Sequence, residues 1–121
     1  MSRRRLDLGA RGEELAAGWY AAQGYTVLDR NWRCRDGELD LVLGRGATVV
    51  FCEVKTRTSV AFGVPAEAVT GLKQQRLRRL ATRWLSERPV GPRWADVRFD
   101  VACVTLRQGA DPDVEVIEAA F

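Results

Sequence analysis

Hydrophobic and polar residues follow two different periods along this 121-residue chain. Apolar or small side chains recur at helical spacing over about residues 9–23 and again over about residues 72–87, which predicts two amphipathic helices. The remaining apolar segments alternate with polar residues or are rich in β-branched residues. They predict five strands, over residues 25–28, 38–44, 49–56, 97–106 and 114–117.

This α-β-β-β-α-β-β order predicts an α/β fold with one mixed sheet flanked by helices. Residues 45–48 have glycine at the first central position and join the second and third strands as a tight hairpin. The connection from the third strand to the fourth is long enough for a right-handed crossover, and such connections join parallel strands. We expect a single domain over residues 1–121, with residues 1–6 as a flexible basic arm.

The hairpin brings four charged residues to one side of the predicted sheet. With residues 46–47 as the loop, Asp40 lies opposite Glu53 and Glu38 lies opposite Lys55. The side chains of Glu53 and Lys55, two residues apart on one strand, point to the same side. The other side is expected to be purely apolar and to contain Leu39, Leu41, Leu43, Val50, Cys52 and Val54.

Two interpretations of this charged set remain open. Facing carboxylates repel each other, and a hard cation such as Mg²⁺ or Mn²⁺ between Asp40 and Glu53 relieves the repulsion. Lys55 then supplies positive charge to a phosphate oxygen, and the whole set suits metal-assisted phosphodiester hydrolysis. Alternatively, Lys55 only neutralises Glu38 and Glu53 in a half-exposed ion-pair cluster.

The composition narrows the chemistry that the chain can perform. It contains no histidine, which excludes histidine-based triads and histidine-ligated zinc. Cys34, Cys52 and Cys103 lack C-x-x-C spacing, so neither a zinc ribbon nor a disulfide framework is expected. No apolar run approaches the roughly 20 residues that span a bilayer, and no signal core follows the basic N-terminus. We therefore expect a cytoplasmic protein without a membrane partner.

The second predicted helix concentrates positive charge on a chain whose net charge is only +3. Between residues 73 and 88 a single acid, Glu87, accompanies six bases. The bases are Lys73, Arg76, Arg78, Arg79, Arg83 and Arg88. This concentration favours a phosphate-rich partner, although a solvated helix face has the same pattern.

Two motifs resemble a known nuclease signature. Residues 37–41 (GELDL) followed by residues 51–57 (FCEVKTR) resemble the PD-(D/E)xK motif, with Leu39 in place of its proline. More broadly, the chain resembles the bacterial YraN family of restriction-endonuclease-like proteins. Further matching segments are Gly12-Glu13, Gly24-Tyr25, residues 30–34, Phe62-Gly63, residues 66–69, Lys73-Gln74 and residues 98–101. The resemblance implies a restriction-endonuclease-like α-β-β-β-α-β core, similar to that of the metal-dependent, dimeric Holliday-junction resolvases of archaea.

The resemblance also implies roles for individual residues. Asp40 matches the metal-binding aspartate, and Glu53 and Lys55 match the acid and lysine of the ExK motif. Asp40 and Glu53 are thus the expected ligands of Mg²⁺ or Mn²⁺. A glutamate of the first helix often joins such sites, and here Glu13 and Glu14 compete. We expect Glu13, because it lies nearer the buried flank of the helix and occupies the Gly-Glu position.

Taken as a prediction of function, this constellation indicates a divalent-metal-dependent endonuclease. DNA, including branched or flapped forms, is the expected partner, with RNA as the alternative, and the resemblance implies a homodimer. The cations expected to contact the nucleic acid are Arg57, Lys73, Arg76, Arg79 and Arg83. A non-catalytic nucleic-acid-binding module on the same fold is the principal alternative, and a structural partner of DNA-processing machinery is a third.

Overall fold

The computed structural model describes residues 3–58, 69–88 and 93–121. Two helices and five strands occur in the order α-β-β-β-α-β-β, as the sequence predicts. They are α1 (Arg3–Ala22), β1 (Thr26–Cys34), β2 (Gly37–Arg45), β3 (Thr48–Arg57), α2 (Gly71–Ser86), β4 (Asp96–Thr105) and β5 (Asp113–Ile117). Helix α1 begins earlier than predicted, and β1 extends further than the predicted strand over residues 25–28.

The five strands form one mixed sheet in the order β1-β2-β3-β4-β5. Strands β1, β2 and β3 pair antiparallel, β3 and β4 pair parallel, and β5 returns antiparallel to β4. The parallel pair follows from the crossover through α2, because the chain must return to the same end of the sheet before β4 begins. The expected mixed α/β architecture is confirmed.

Each face of the sheet is covered by one helix. Helix α1 contributes Ala16, Ala17 and Tyr20 to a core with buried side chains of β2, β3 and β4. Helix α2 contributes Leu77, Leu80, Ala81 and Trp84 to the core on the opposite face. Its apolar stripe therefore faces the sheet, and its arginines are left at the surface.

The predicted hairpin register is confirmed from Arg45–Thr48 to Leu41–Cys52, where the pairing of β2 with β3 ends. The expected apolar side is wrong at one residue: Leu41 and Leu43 pack beneath α1, whereas Leu39 packs beneath α2. The strand alternation is therefore interrupted around Asp40. The expected facing pairs, Asp40–Glu53 and Glu38–Lys55, lie beyond the paired part of the hairpin.

A close contact fixes the approach of α1 to β3. A Cβ atom added to Gly12 would lie 1.8 Å from Oγ1 of Thr56, so the helix backbone rests directly on this strand. The contact holds the next helical residue, Glu13, near the strand that carries Glu53.

A buried polar network also ties α1 to the sheet. The fully buried carboxylate of Asp100 on β4 accepts hydrogen bonds from Tyr20 Oη at 2.6 Å and from two Arg98 nitrogens at 2.9 Å. It also accepts one from the backbone N–H of Ala119 at 3.0 Å. The hydrogen bond to Asp100 is the main cause of the raised pKa of Arg98. The buried charge is thus paired and multiply hydrogen-bonded, which such a group requires.

Some sequence-based expectations fall on residues outside the described ranges. These are Met1 and Ser2 of the expected arm and the motif residues 62–63 and 66–68. Within the described ranges, no helix combines the length and apolar character needed to cross a membrane.

Candidate active site

Asp40 lies where the backbone pairing of β2 with β3 ends, and its side chain takes the place of a backbone hydrogen-bond acceptor there. Its Oδ2 atom accepts a hydrogen bond from the backbone N–H of Val54 at 2.9 Å. Burial, followed by the neighbouring Glu53 carboxylate, raises the pKa of Asp40 to about 7, although the Val54 hydrogen bond acts in the opposite direction. Glu13 and Glu38 raise this pKa further. Asp40 is therefore a carboxyl group crowded by other carboxyl groups.

Three of these acids converge closely. Glu13, Glu38 and Asp40 each offer a carboxylate oxygen, and the three oxygens lie within 4.8 Å of one another. The hydrogen-bonding pattern assigns the Asn31 amide nitrogen to the side of the acids, where it donates to Glu38 at 2.9 Å and to both Glu13 oxygens at 3.1 Å. Burial raises the pKa of Glu13, and the Asn31 hydrogen bond partly offsets this effect. We call Glu13, Glu38 and Asp40 the acidic triad.

The two glutamates of α1 occupy different environments. Glu13 is half-buried beside Asp40, whereas the side chain of Glu14 is 72% exposed and pairs with Arg30 at 2.6 Å. The geometry thus brings Glu13, and not Glu14, into the acidic triad.

Glu53 is held by two lysines. Its Oε1 atom lies 3.3 Å from Nζ of Lys55 and 2.9 Å from Nζ of Lys73, and its side chain is only 11% exposed. Burial is the largest influence on the pKa of Lys55 and lowers it, and the neighbouring Lys73 lowers it further. Burial lowers the pKa of Lys73, but the carboxylates of Glu53 and Asp40 act in the opposite direction, and the pKa is raised overall. The Glu53 carboxylate is therefore ion-paired with both lysines.

The expected pairing of Glu38 with Lys55 is replaced by another. Glu38 is the cross-strand neighbour of Arg33 on β1, whose Nε lies 3.2 Å from the Glu38 carboxylate. This leaves the second carboxylate oxygen to Asn31 and the acidic triad.

Two clefts meet at Asp40 and Glu53. The cleft on the α1 side has a volume of about 450 Å³. It is lined by Leu8, Gly9, Glu13, Asp40, Glu53, Val54 and Thr56. The cleft on the α2 side has a volume of about 160 Å³. It is lined by Gly37, Glu38, Asp40, Glu53, Lys73, Arg76, Leu77 and Leu80. A ligand can therefore approach the acids from either side.

The predicted nucleic-acid contacts lie in three places. Lys73 and Arg76, from the first turns of α2, line the smaller cleft with the acids. Arg79 is exposed further along the helix, and Arg83 lies near Asp36 at 3.5 Å and Glu87 at 3.2 Å. Arg57 ends β3 opposite Thr105 and is half-buried.

Three contributions were not apparent from the sequence. Glu38 is a member of the acidic triad and not a partner of Lys55, and Asn31 links it to Glu13. Lys73, expected only as a phosphate contact, also pairs with Glu53. The sequence contained a signal for the position of Lys73. Thr70 is the N-cap of α2 and accepts a hydrogen bond from the backbone N–H of Lys73, so Lys73 lies in the first turn of the helix.

The donor set determines which ligands suit these clefts. Clustered carboxylate oxygens suit hard divalent cations such as Mg²⁺ and Mn²⁺. Raised pKa values at Asp40 and Glu13 indicate that both carboxylates would gain from a nearby positive charge. Adjacent ammonium and guanidinium groups suit phosphate oxygens.

Similarity to known proteins extends over nearly the whole chain. A model of a family described as "Uncharacterised protein family UPF0102" matches residues 12–104, a segment that contains the acidic triad, Glu53 and both lysines. A UPF0102 protein from Frankia alni is 54% identical over 100% of both chains. One from Rhodococcus jostii is 48% identical over 96% of this chain and 97% of its own. One from Nocardia farcinica is 51% identical over 94% of this chain and 88% of its own.

Proposed function

Since the chain belongs to the UPF0102 family, whose description names no activity, we propose from its site that it is a divalent-metal-dependent endonuclease acting on DNA. The observation that carries this proposal is that Asp40 and Glu53 line both clefts, with Lys73 in the smaller cleft and Lys55 3.3 Å from the Glu53 carboxylate. The α-β-β-β-α-β order and the GELDL and FCEVKTR motifs support a restriction-endonuclease-like relationship.

Asp40 and Glu53, assisted by Glu13, are the proposed ligands of Mg²⁺ or Mn²⁺. Four carboxyl groups lie in or beside this pair of clefts, and burial, followed by the neighbouring carboxylates, raises the pKa of Asp40. When bound, the cation supplies positive charge against the phosphate and makes the attacking water more acidic. The fit rests on the chemistry of the donors, because every group of the acidic triad and Glu53 is an oxygen ligand.

The proposed reaction is hydrolysis of a phosphodiester. Water attacks phosphorus, a phosphorus–oxygen ester bond breaks, and the leaving oxygen takes a proton. Lys55, whose Nζ lies 3.3 Å from Oε1 of Glu53, is proposed to donate to a phosphate oxygen whose negative charge grows during attack. Asp40 and Glu13 orient the reacting groups and do not touch the leaving oxygen in this scheme.

The basic surface of α2 is proposed to hold the DNA backbone. Arg76 adjoins the smaller cleft, and Arg79 and Arg83 continue along the exposed side of the same helix. Lys73 begins this series beside the acids. A phosphate chain lying along α2 would therefore have one phosphate near Asp40 and Glu53, with its neighbours on the arginines. Arg57, at the end of β3, is a further proposed contact.

A cleavage assay tests this function. Purified protein is incubated with linear, nicked, flapped and four-way DNA, and with RNA, in Mg²⁺ or Mn²⁺. Wild-type protein is expected to cut at least one form. Asp40→Asn, which can still accept the Val54 hydrogen bond, is expected to be inactive. Binding without cleavage on every substrate would support the non-catalytic binding module, for which the exposed arginines of α2 suffice.

A further inference from the structure

Lys73 and Lys55 share a single carboxylate oxygen. Both ammonium nitrogens lie within 3.3 Å of Oε1 of Glu53, and Lys73 is the closer at 2.9 Å. The Glu53 side chain is 11% exposed, so water screens these pairs only weakly. Without a ligand, the negative charge of Glu53 is therefore already neutralised by neighbouring lysines.

This arrangement opposes cation binding at Glu53. A divalent ion beside Glu53 would lie within a few ångströms of two ammonium groups, and their repulsion is substantial where water is partly excluded. The geometry agrees, because the oxygens that already lie close together belong to Glu13, Glu38 and Asp40, and that group does not include Glu53. Full coordination therefore requires the lysines to move to another anion.

The structure offers a place for that anion. The charged residues that line the smaller cleft are Glu38, Asp40, Glu53, Lys73 and Arg76, and Lys73 belongs to a different element from Glu53. A phosphate group entering this cleft meets Lys73 and Arg76 as its nearest cations. It competes with Glu53 for the Lys73 ammonium group. When the phosphate gains an ion pair with Lys73, the negative charge of Glu53 is no longer neutralised by that lysine.

We propose that Lys73 is a positioning residue that occupies Glu53 until a phosphate group draws it away, so that phosphate and a divalent cation favour each other's binding. The inference rests on the proposed function, since it assigns the cation to Asp40 and Glu53. Because binding linkage is reciprocal, the factor by which phosphate improves cation affinity equals the factor by which the cation improves phosphate affinity. The protein thereby assembles its complete site only around a substrate.

Cation affinity in the absence of nucleic acid provides the first test. Lys73→Met removes the ammonium group and keeps most of the apolar stem, and titration calorimetry with Mn²⁺ measures the effect. We expect binding to tighten about tenfold, because one of the two opposing charges is gone. A role confined to stabilising the fold predicts instead a lower melting temperature and unchanged Mn²⁺ affinity.

Two further variants make this test specific. Adding Glu53→Gln to Lys73→Met should abolish the gain in affinity, because the carboxylate that was released is no longer present. Arg79→Met removes the same charge from an exposed position of α2 and should change Mn²⁺ affinity much less than Lys73→Met. Melting curves confirm that each variant is folded, and Lys73→Gln replaces Lys73→Met if the latter is not. A gain that persists without Glu53, or equals that of Arg79→Met, would overturn the proposal.

The linkage itself is tested with a phosphorothioate DNA duplex, which resists cleavage. The duplex is expected to tighten Mn²⁺ binding to wild-type protein several-fold, and to improve binding to Lys73→Met by a smaller factor. Equal factors for the two proteins would overturn the proposal. These outcomes are separable from the proposed function. Wild-type cleavage with no effect of Lys73→Met on Mn²⁺ affinity refutes only the inference, whereas the predicted affinities without any cleavage refute only the endonuclease.

Discussion

The carboxylate of Asp40 and the backbone N–H of Val54 are joined by a hydrogen bond of 2.9 Å. This bond lies just beyond Leu41–Cys52, the last backbone pair of the β2–β3 hairpin. A side chain thus satisfies a donor that a regular ladder would have given to a carbonyl group. The geometry keeps Asp40 at the wall between the two clefts, where burial, followed by the neighbouring acids, raises its pKa to about 7.

The raised pKa of Asp40 predicts a pH-dependent gain in stability for Asp40→Asn. The folded protein holds the Asp40 proton more tightly than the unfolded chain, so this group favours folding most at low pH. That contribution is lost as the pH rises from about 4 through about 7. Without added metal, Asp40→Asn should therefore melt several degrees above wild type near pH 8 and much closer to it near pH 4. An equal difference at both values would contradict the raised pKa.

Divalent metal should reverse this difference in melting temperature between Asp40→Asn and wild type. A ligand that binds only the folded state raises its melting temperature, so millimolar Mg²⁺ or Mn²⁺ should stabilise wild-type protein near pH 8. Asp40→Asn should show no such rise, because the proposed ligand has lost its charge. Glu14→Gln is the matched control, since Glu14 is an exposed acid on α1 that pairs with Arg30 outside the acidic triad. A metal-dependent rise retained in Asp40→Asn would exclude Asp40 as a ligand.

The contact between Gly12 and Thr56 gives a prediction about the position of α1. Gly12→Ala places a methyl group 1.8 Å from Oγ1 of Thr56, so either the helix or the strand must shift. We expect a loss of about 1–3 kcal/mol in the free energy of unfolding, together with weaker stabilisation by metal because Glu13 moves with the helix. Thermal and urea denaturation measure both effects.

Gly18→Ala controls for the change in helix propensity. An added Cβ at Gly18 has no atom within 4 Å, so this variant should gain about 0.5–1 kcal/mol. Adding Thr56→Ala to Gly12→Ala removes the closest contact and should restore part of the stability. If Gly12→Ala is as stable as Gly18→Ala, then α1 does not rest on β3 as described.

The hairpin and the acids on it were predictable because they depend on local patterns. A two-residue loop fixes the register from Arg45–Thr48 to Leu41–Cys52, and Asp40 and Glu53 follow that last pair and line the same two clefts. The interruption of strand alternation that places Leu39 beneath α2 was not predictable. It accompanies the hydrogen bond from the Val54 N–H to Asp40, and no local sequence pattern specifies that contact between two strands.

Other parts of the site depend on contacts between distant segments. Asn31, which links Glu13 to Glu38, adopts a φ of 49°, a backbone conformation that no neighbouring residue signals. Lys73 reaches Glu53 only because α2 packs across the sheet. Periodicity identifies the faces of helices and strands, but it does not specify which ends of two elements meet.

The exposed arginines of α2 predict how DNA binding depends on salt. Replacing Arg76, Arg79 and Arg83 with glutamine should weaken binding to DNA of any sequence, because backbone phosphates carry no base information. Each lost phosphate contact should reduce the slope of log affinity against log salt by about 1, so the triple variant should lose up to about 3. Fluorescence anisotropy over a range of salt concentrations measures the slope.

Arg107→Gln is the control for this experiment, because Arg107 is exposed beyond β4 and outside the proposed DNA surface. It should leave the slope nearly unchanged. A triple variant with the wild-type slope would mean that this side of α2 faces solvent in the complex. An intermediate reduction of the slope would indicate that Arg83 stays paired with Asp36 and Glu87 and does not contact phosphate.

Lys55→Met separates the enzyme from the two alternatives. Methionine keeps most of the apolar bulk of lysine but removes the charge proposed to act on the phosphate during attack. If the protein is a nuclease, the cleavage rate should fall by about 10²-fold or more, the scale seen when one preorganised electrostatic contact is removed. DNA affinity should fall much less, because the cations of α2 supply most of it.

Measuring cleavage, DNA affinity and melting temperature on Lys55→Met distinguishes the three interpretations. A binding module has no cleavage rate to lose, and Lys55 is then one cation among several. In an ion-pair cluster only the melting temperature changes, and it changes little, because Glu53 remains paired with Lys73 and Glu38 remains paired with Arg33. The loss should stay below about 1 kcal/mol, as is usual for a partly exposed pair. Wild-type cleavage that survives in Lys55→Met at an undiminished rate would remove Lys55 from the mechanism while leaving Asp40 and Glu53 in it.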